Sequence, residues 1–534
     1  QQQGGQLAGA AAQLRGNLTH GQAVHLCFAN AQTLPTMPCH GDADQRWLRH
    51  PEPSSWSLKS ARKKKPLSAL SLAEKYNKHK LISFRLDKRR FLLYTHAVNE
   101  ILKKRVFILD LTGMLKSLEN CPCGKKHTFY TEDIEIGSGI TAKTGEILRR
   151  NGFEDDLLLV ADENTIAAAA GVRESLIAAG FKLTERIYNN LTYARAEQVE
   201  ELKAICPSVQ GIISVGTGSL NDICRVASYQ TGKKFCIFAT APSMDGFASD
   251  TAPIVKDNFK SSWQAEQPLV IIADTKILAA APAELKSSGF GDMVAKYIGL
   301  AEWKMANLLI DEYYCPNIAA ITSEAIDRIT ALADRITENS EEAAGAVMEA
   351  LVLTGLAMKL AGCSRPASGA EHVVSHYLEC YKLNRGIWPE FHGKKVGVMT
   401  VILNRAYRNI AERVTEVNPH ADNTDWDLVY SKYDACMLND IKRVNTPTIT
   451  DKVSPEKLKE SWGEIRKIIL ETLPTDEKLL SLMHAAGAAT TPEEVHVGEQ
   501  LLTDALRFHP YMRYRLLLTR LMPMLDLDIM DFLK

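Results

Sequence analysis

The apolar positions change period partway along the chain. Between about residues 157 and 273 they fall in short unbroken runs: Leu157-Leu158-Leu159-Val160-Ala161, Gly211-Ile212-Ile213-Ser214-Val215, Phe235 to Ala239, and Leu269-Val270-Ile271-Ile272-Ala273. Runs of this length with helical stretches between them, such as the alanine-rich segment ending at Ala179, predict a parallel sheet covered on both faces. After Pro282 the strand signal stops. Long amphipathic stretches follow: Gly291 to Leu309, Ser323 to Arg335, Ala343 to Leu360, Glu371 to Tyr381, Gly397 to Val414, Pro455 to Leu473 and Val495 to Arg507. The pattern predicts an α/β domain over 114–280 and an all-helical domain over 281–534. A ligand crevice is expected between them, at the carboxyl ends of the strands.

Residues 1–113 lack either period. They begin with a Gln/Gly/Ala-rich stretch, mix Pro, His and Trp, and carry the basic run Arg62-Lys63-Lys64-Lys65; a helical stretch is expected only at places such as Thr95 to Lys103. This segment reads as an irregular extension outside the catalytic core, with a basic tether for a partner as the alternative.

Composition narrows the class. Lys plus Arg (63) nearly balances Asp plus Glu (64), which argues against a nucleic-acid partner. No unbroken apolar run is long enough to suggest a membrane span, and no secretory pattern opens the chain. The 11 cysteines are scattered, several inside apolar runs, so reduced thiols in a cytoplasmic enzyme are expected rather than a disulfide framework. Cys121-Pro122-Cys123, with His127 nearby, falls one ligand short of a zinc knuckle, and a structural or unused thiol pair is the expectation.

The chemistry collects at loops after strands. Gly216-Thr217-Gly218-Ser219-Leu220-Asn221-Asp222 follows a strand and opens a helix, a turn suited to a pyrophosphate because glycines admit close backbone approach and the helix N-terminus faces negative charge. Thr240, Ser243, Asp245 and Ser249 lie in one polar segment off the next strand end, placed for cofactor and substrate contact. Asp162, directly after the run Leu157 to Ala161, is suited to the adenosine ribose hydroxyls and favours NAD over NADP. Gly289-Phe290-Gly291-Asp292 puts Asp292 in the first turn of a helix, with Lys296 one turn on along the same side. His372 and His376 share a helical face, and His392 stands in another glycine-flanked turn. A carboxylate with two imidazoles makes a three-ligand divalent site with open positions; spacing alone leaves the choice between His372 and His376 open.

In this order the motifs resemble the family of sn-glycerol-1-phosphate dehydrogenases, especially its bacterial members, within the superfamily of iron-type alcohol dehydrogenases, glycerol dehydrogenases and dehydroquinate synthases. The resemblance runs from about Met114 to Lys534 and is most specific in Val215 to Asp222, Thr240 to Gly246 and Ser368-Gly369-Ala370-Glu371-His372. It implies a dehydroquinate synthase-like fold: a Rossmann-like dinucleotide-binding domain, then a helical metal- and substrate-binding domain. It also implies the metal ligands Asp292, His372 and His392, with His376 moved to the substrate pocket. Gly216, Thr217, Gly218 and Asp222 fall on the pyrophosphate turn, and Thr240 and Ser249 near the cofactor. Asp245 approaches cofactor and substrate, and Lys296 is a candidate phosphate contact. Lys394 stands where many relatives carry an acid, which implies an altered outer shell for the metal; Arg225 replaces a common lysine.

The implied reaction is reduction of dihydroxyacetone phosphate to sn-glycerol 1-phosphate by NAD(H) or NADP(H), reversibly, with one zinc, nickel or iron ion and Asp245, His376 and Lys296 as catalytic candidates. A homodimer or higher oligomer in the cytoplasm is expected. The rival readings are oxidation of an unphosphorylated polyol and a dehydroquinate synthase-like lyase.

Overall fold

The computed structural model describes residues 107–534. The expectations for residues 1–106, including the basic run and the stretch Thr95 to Lys103, lie outside the described residues. The last part of the expected extension belongs to the fold: β1 (Phe107–Ile108) pairs antiparallel with β2 (Asp133–Gly137), and Asp110 caps the helix Leu111–Ser117 through the Gly113 N–H. A two-residue strand is too short to show an alternation in sequence, which is why the boundary fell late.

Seven strands form the main sheet in the order β1-β2-β9-β6-β5-β3-β4, with every pair after the first parallel. The four expected runs are β3 (Asp156–Asp162), β5 (Gly211–Gly216), β6 (Lys234–Ala239) and β9 (Val270–Asp274). They are central, and alternate side chains feed two cores: Leu158, Val160, Ile212 and Ile237 pack on one face, Leu157, Leu159, Ile213 and Phe238 on the other. β4 (Lys182–Tyr188) was not expected. It is an edge strand, and its polar run Lys182-Leu183-Thr184-Glu185-Arg186 hides the signal that burial would have written. Strand order reverses between β3 and β5, so a crevice opens at their carboxyl ends. A separate hairpin, β7 (Thr251–Lys256) and β8 (Phe259–Gln264), projects from the loop after β6.

From Thr275 onward the described chain is helical. Helices that bear on the site are α1 (Gly218–Thr231), α2 (Ala283–Val294), α3 (Lys296–Ile310), α4 (Pro316–Thr330), α5 (Glu341–Ala361), α6 (Ala370–Leu383) and α7 (His392–Arg413). Among the described residues only α5 is long and apolar enough to cross a membrane, and most of it is buried inside the fold as a core helix.

One expectation about the helices is corrected. Asp292 lies in the last turn of α2, not the first turn of a helix, and His392 opens α7 rather than sitting in a turn. The glycines around them do not make turns; they let α2 and α7 touch. A Cβ on Gly393 would stand 2.1 Å from the Ser288 carbonyl oxygen, and one on Gly291 would stand 2.6 Å from that of Gly393. Only hydrogen at both positions permits this backbone contact, and the contact draws Asp292 and His392 together.

Candidate metal and cofactor site

Asp292, His372 and His392 come from three helices and converge, with one possible ligand atom from each within 4.8 Å of the others. Asp292 is wholly buried. It accepts the Asp245 N–H at 2.9 Å and the Lys296 ammonium at 2.8 Å, and the His372 Nε2 lies 3.3 Å away. Burial opposes its charge, but Lys296 and the two histidines hold the carboxyl well below the usual range. The Nδ1 of His372 meets Glu371 Oε1 at 2.7 Å, which leaves Nε2 as the ligating nitrogen. Burial pulls this imidazole down, yet Asp292 and Glu371 raise it to about 9. The His392 Nδ1 is buried without a hydrogen-bond partner. One carboxylate and two imidazoles, one with an unpartnered nitrogen, fit a divalent ion such as zinc, nickel or ferrous iron.

His376 is one helical turn beyond His372 on α6, with Nδ1 3.2 Å from Glu379 Oε2. Burial pushes it down to about 3, so it is neutral. Glu379 is the residue that spacing missed. It receives Lys395 at 2.7 Å and Lys260 at 2.9 Å, and its carboxylate also faces His392 at 3.7 Å. Burial would neutralise Glu379, but Lys260 and Lys395 keep it ionised, well below the ordinary range. The series His372, His376, Glu379 at i, i+4, i+7 marks one helical stripe, and that spacing was available in the sequence.

A cleft of about 410 Å³ opens in front of these groups. His372, His376, His392, Asp222, Asp245 and Ser249 line it, as do Gly218 and Ser219 at the start of α1. Thr217 precedes that helix and gives it no side-chain cap, so the first N–H groups of α1 face the cleft end unclaimed. A Cβ at Gly218 would touch the end of the Met244 side chain at 3.0 Å. Gly216, Thr217, Thr240 and Ser243 are not among the residues that line the cleft. Thr240 donates its N–H to Gly216 and so joins the two strand ends.

Three residues differ from expectation. Lys296 does not reach the cleft. It is completely buried between Asp245 Oδ2 at 2.5 Å and Asp292 Oδ1 at 2.8 Å, and these carboxylates outweigh burial and raise its pKa. Its charge is already spent on two partners, so it orients carboxylates instead of holding a phosphate. Asp162 caps the helix Glu163–Ala168, accepting the Asn164 N–H at 2.9 Å and the Leu191 N–H at 2.7 Å, and does not line the cleft. A strand-end Asp followed by Thr three residues on is a capping-box pattern, which competes with ribose binding for the same oxygens. Lys394 points to Glu284 at 2.7 Å and Glu390 at 3.4 Å; the shell around the metal ligands is Glu371, Glu379 and Lys296.

Arg225 is more than a substitute for lysine. Buried against Asp222, it also donates to the Gly246 and Ser249 carbonyls and ties the loop after β6 to α1, a forked role that an ammonium cannot fill. Three further cations in the cleft went unnoticed in sequence: Lys260 from β8, and Arg513 and Arg515 from near the C-terminus. Arg515 bonds the Ser368 carbonyl at 2.7 Å. The cysteine pair also gains a partner, since Cys315 at the start of α4 joins Cys121, Cys123 and His127 and corrects the count of three ligands.

Residues 135–282 match the family described as iron-containing alcohol dehydrogenase. A glycerol-1-phosphate dehydrogenase, NAD(P)+-linked, from Geobacillus stearothermophilus is 31% identical over 404 residues, covering 74% of this chain and 93% of that protein. One of the same name from Methanothermobacter thermautotrophicus is 31% identical over 333 residues, 62% of this chain and 87% of its own length. Among solved structures, the iron-containing alcohol dehydrogenase of Corynebacterium glutamicum aligns with a TM-score of 0.51 at 14% identity, over 76% of this chain and 98% of that one. The NADH-dependent butanol dehydrogenase A of Thermotoga maritima gives a TM-score of 0.51 at 15% identity, over 76% and 96%. These two establish the fold alone.

Proposed function

The chain belongs to the glycerol-1-phosphate dehydrogenase family, and we propose that its cleft interconverts dihydroxyacetone phosphate and sn-glycerol 1-phosphate with NAD(P)H. One observation carries the assignment to a phosphorylated substrate: Arg513, Lys260 and Arg515 line the same cleft as the metal-ligand histidines. Lys260 is committed to Glu379 and Arg515 to Ser368, which leaves Arg513 as the cation for the phosphate dianion.

When bound, NAD(P)H supplies the hydride and the divalent ion the positive charge that steadies the oxygen at C2. The chain's own residues then do the following. Asp292, His372 and His392 would hold the ion, Glu371 orients the His372 ring through Nδ1, and Glu379 sets its negative charge 3.7 Å from His392. The α1 N-terminus after Gly216 receives the pyrophosphate, while Thr240 and Ser243 brace the loop that carries Ser249. Lys296 holds Asp245 at the edge of the cleft, where its backbone and carboxylate border cofactor and substrate. His376, kept neutral by burial with Nδ1 3.2 Å from Glu379, offers its other ring nitrogen to a substrate hydroxyl, and the proton that the C2 oxygen takes up comes from solvent. With Asp162 engaged as a cap, the argument for NAD over NADP loses its residue, and either nucleotide is accepted in this reading. The division into a cofactor-binding part before residue 280 and a metal-binding part after it, homodimer assembly and a cytoplasmic setting belong to the same proposal.

The test is NADH and NADPH oxidation with dihydroxyacetone phosphate and with dihydroxyacetone, before and after chelation, with chiral analysis of the product. We expect turnover of the phosphorylated ketone, little of the free one, and loss on chelation. Equal turnover of free dihydroxyacetone would move the assignment to a polyol dehydrogenase. Absence of net nucleotide oxidation would favour the lyase.

A further inference from the structure

The Cys121-Pro122-Cys123 turn and its distant partner form a second cluster of metal-binding atoms, apart from the cleft. Cys121 and Cys123 precede β2, while Cys315 comes from 194 residues beyond Cys121 and occupies the N-cap of α4. The Sγ atoms of Cys121 and Cys315 are 3.4 Å apart; Cys123 Sγ is 3.1 Å from His127 Nε2, and Cys315 Sγ is 3.9 Å from that nitrogen. A disulfide would need about 2.05 Å. Tetrahedral ligation with zinc–sulfur bonds of ~2.3 Å sets sulfur–sulfur separations of roughly 3.7 Å, close to what is seen.

The surroundings select the same chemistry. His127 Nδ1 lies 2.8 Å from the Leu360 carbonyl, so Nδ1–H donates there and the Nε2 lone pair faces the three sulfurs. The Tyr313 hydroxyl donates to Cys123 Sγ at 3.4 Å and the Asn317 amide to Cys121 Sγ at 3.5 Å, bonds that strengthen if the sulfurs are thiolates. Gly124, at φ +76°, closes the turn with its N–H on the Cys121 carbonyl at 3.1 Å, a conformation that favours glycine. The Lys125 ammonium sits 3.5 Å over the Tyr313 ring, beside a cluster that would carry net negative charge when three thiolates hold a dication.

We propose that Cys121, Cys123, His127 and Cys315 bind a second divalent ion of zinc type, in a closed four-ligand structural site. Binding releases the thiol protons to solvent and involves no redox change. The site joins the segment before β2 to the start of α4, and through His127 to the end of α5, whose Met358 lines the cleft. It therefore pins the strand-rich and helical parts of the chain through four residues that do not line the cleft.

The full chain, grown with cobalt in place of zinc, supplies the decisive spectrum. Three thiolates on cobalt give intense sulfur-to-metal charge-transfer absorption in the near ultraviolet, whereas a carboxylate with two imidazoles gives none. We expect these bands in the wild-type protein and in His392→Ala, and their loss, with one metal equivalent, in Cys315→Ser and Cys123→Ser. Wild-type protein titrated with a thiol-specific mercurial releases the same equivalent and needs no variant to fold. Failure of the catalytic reading would leave this absorption intact. Absence of the bands in wild type, or recovery of a Cys121–Cys315 disulfide from protein isolated without reductant, would overturn the inference.

Discussion

Replacing Lys296 with methionine tests the electrostatic frame of the site. Methionine keeps the length and much of the apolar stem but deletes the ammonium, which sits 2.5 Å from Asp245 and 2.8 Å from Asp292 with none of its surface exposed. The variant leaves two carboxylates buried side by side without their shared cation. Breaking a buried pair in this way costs about 3–5 kcal/mol, because one charge stays desolvated and unmatched. The loss should fall mainly on the metal-free protein. A dication at Asp292, His372 and His392 restores positive charge to the same carboxylates, so added metal should stabilise Lys296→Met more than it stabilises wild type. Urea unfolding of both proteins, stripped and metal-loaded, measures the four free energies. If the stripped variant lies within about 1 kcal/mol of stripped wild type, the ammonium is not compensating buried charge, since such a difference is the ordinary range of a neutral substitution. An equal metal increment in both proteins would refute the linkage. The variant should also lose activity without losing discrimination between phosphorylated and free substrates, since Lys296 does not reach the cleft.

Arg513→Ala should lower kcat/KM for dihydroxyacetone phosphate by about 10- to 100-fold, the loss of one charge-assisted bond of roughly 1.5–3 kcal/mol, and leave dihydroxyacetone turnover nearly unchanged; equal effects on both would exclude a phosphate contact. Gly393→Ala forces a methyl group to within 2.1 Å of the Ser288 carbonyl and should weaken metal retention on dialysis, whereas Gly463→Ala, with open space around it in the helix Pro455–Thr472, should be neutral or stabilising. His509 is wholly buried and pushed down to about 3 by burial, against 6.5 ordinarily, so its contribution is fully present above pH 6.5 and is lost as pH falls toward 3. Between about pH 8 and about pH 5 the wild type should lose roughly 2 kcal/mol more than His509→Gln in chemical denaturation, and parallel pH profiles would contradict that.

What was legible in the sequence was what burial writes into short stretches. β3, β5, β6 and β9 are buried on both faces, so each shows as an unbroken apolar run, whereas edge strand β4 and the hairpin β7–β8 carry solvent-facing residues and do not. The glycine loop, the polar segment around Asp245 and the histidine pair on α6 were visible because each lies within one element. Contacts made between elements were not. Glycines near Asp292 read as a turn, yet they serve a helix crossing whose other half begins at Gly393. Lys296 read as a free cation because its second carboxylate, Asp245, is 51 positions earlier on another loop. Cys315 gave no sign of its role, since a ligand contributed once from a helix N-cap has no spacing to betray it. The same reasoning bears on the two metal sites. The ligands of the cleft site are spread over α2, α6 and α7, so it forms only once the helices have packed. The cysteine cluster closes a chain segment of nearly two hundred residues, and a metal bond there restricts the unfolded chain far more than a local turn would. Its loss should therefore show first as a looser junction between β2 and α4, and only through α5 as a change in the cleft.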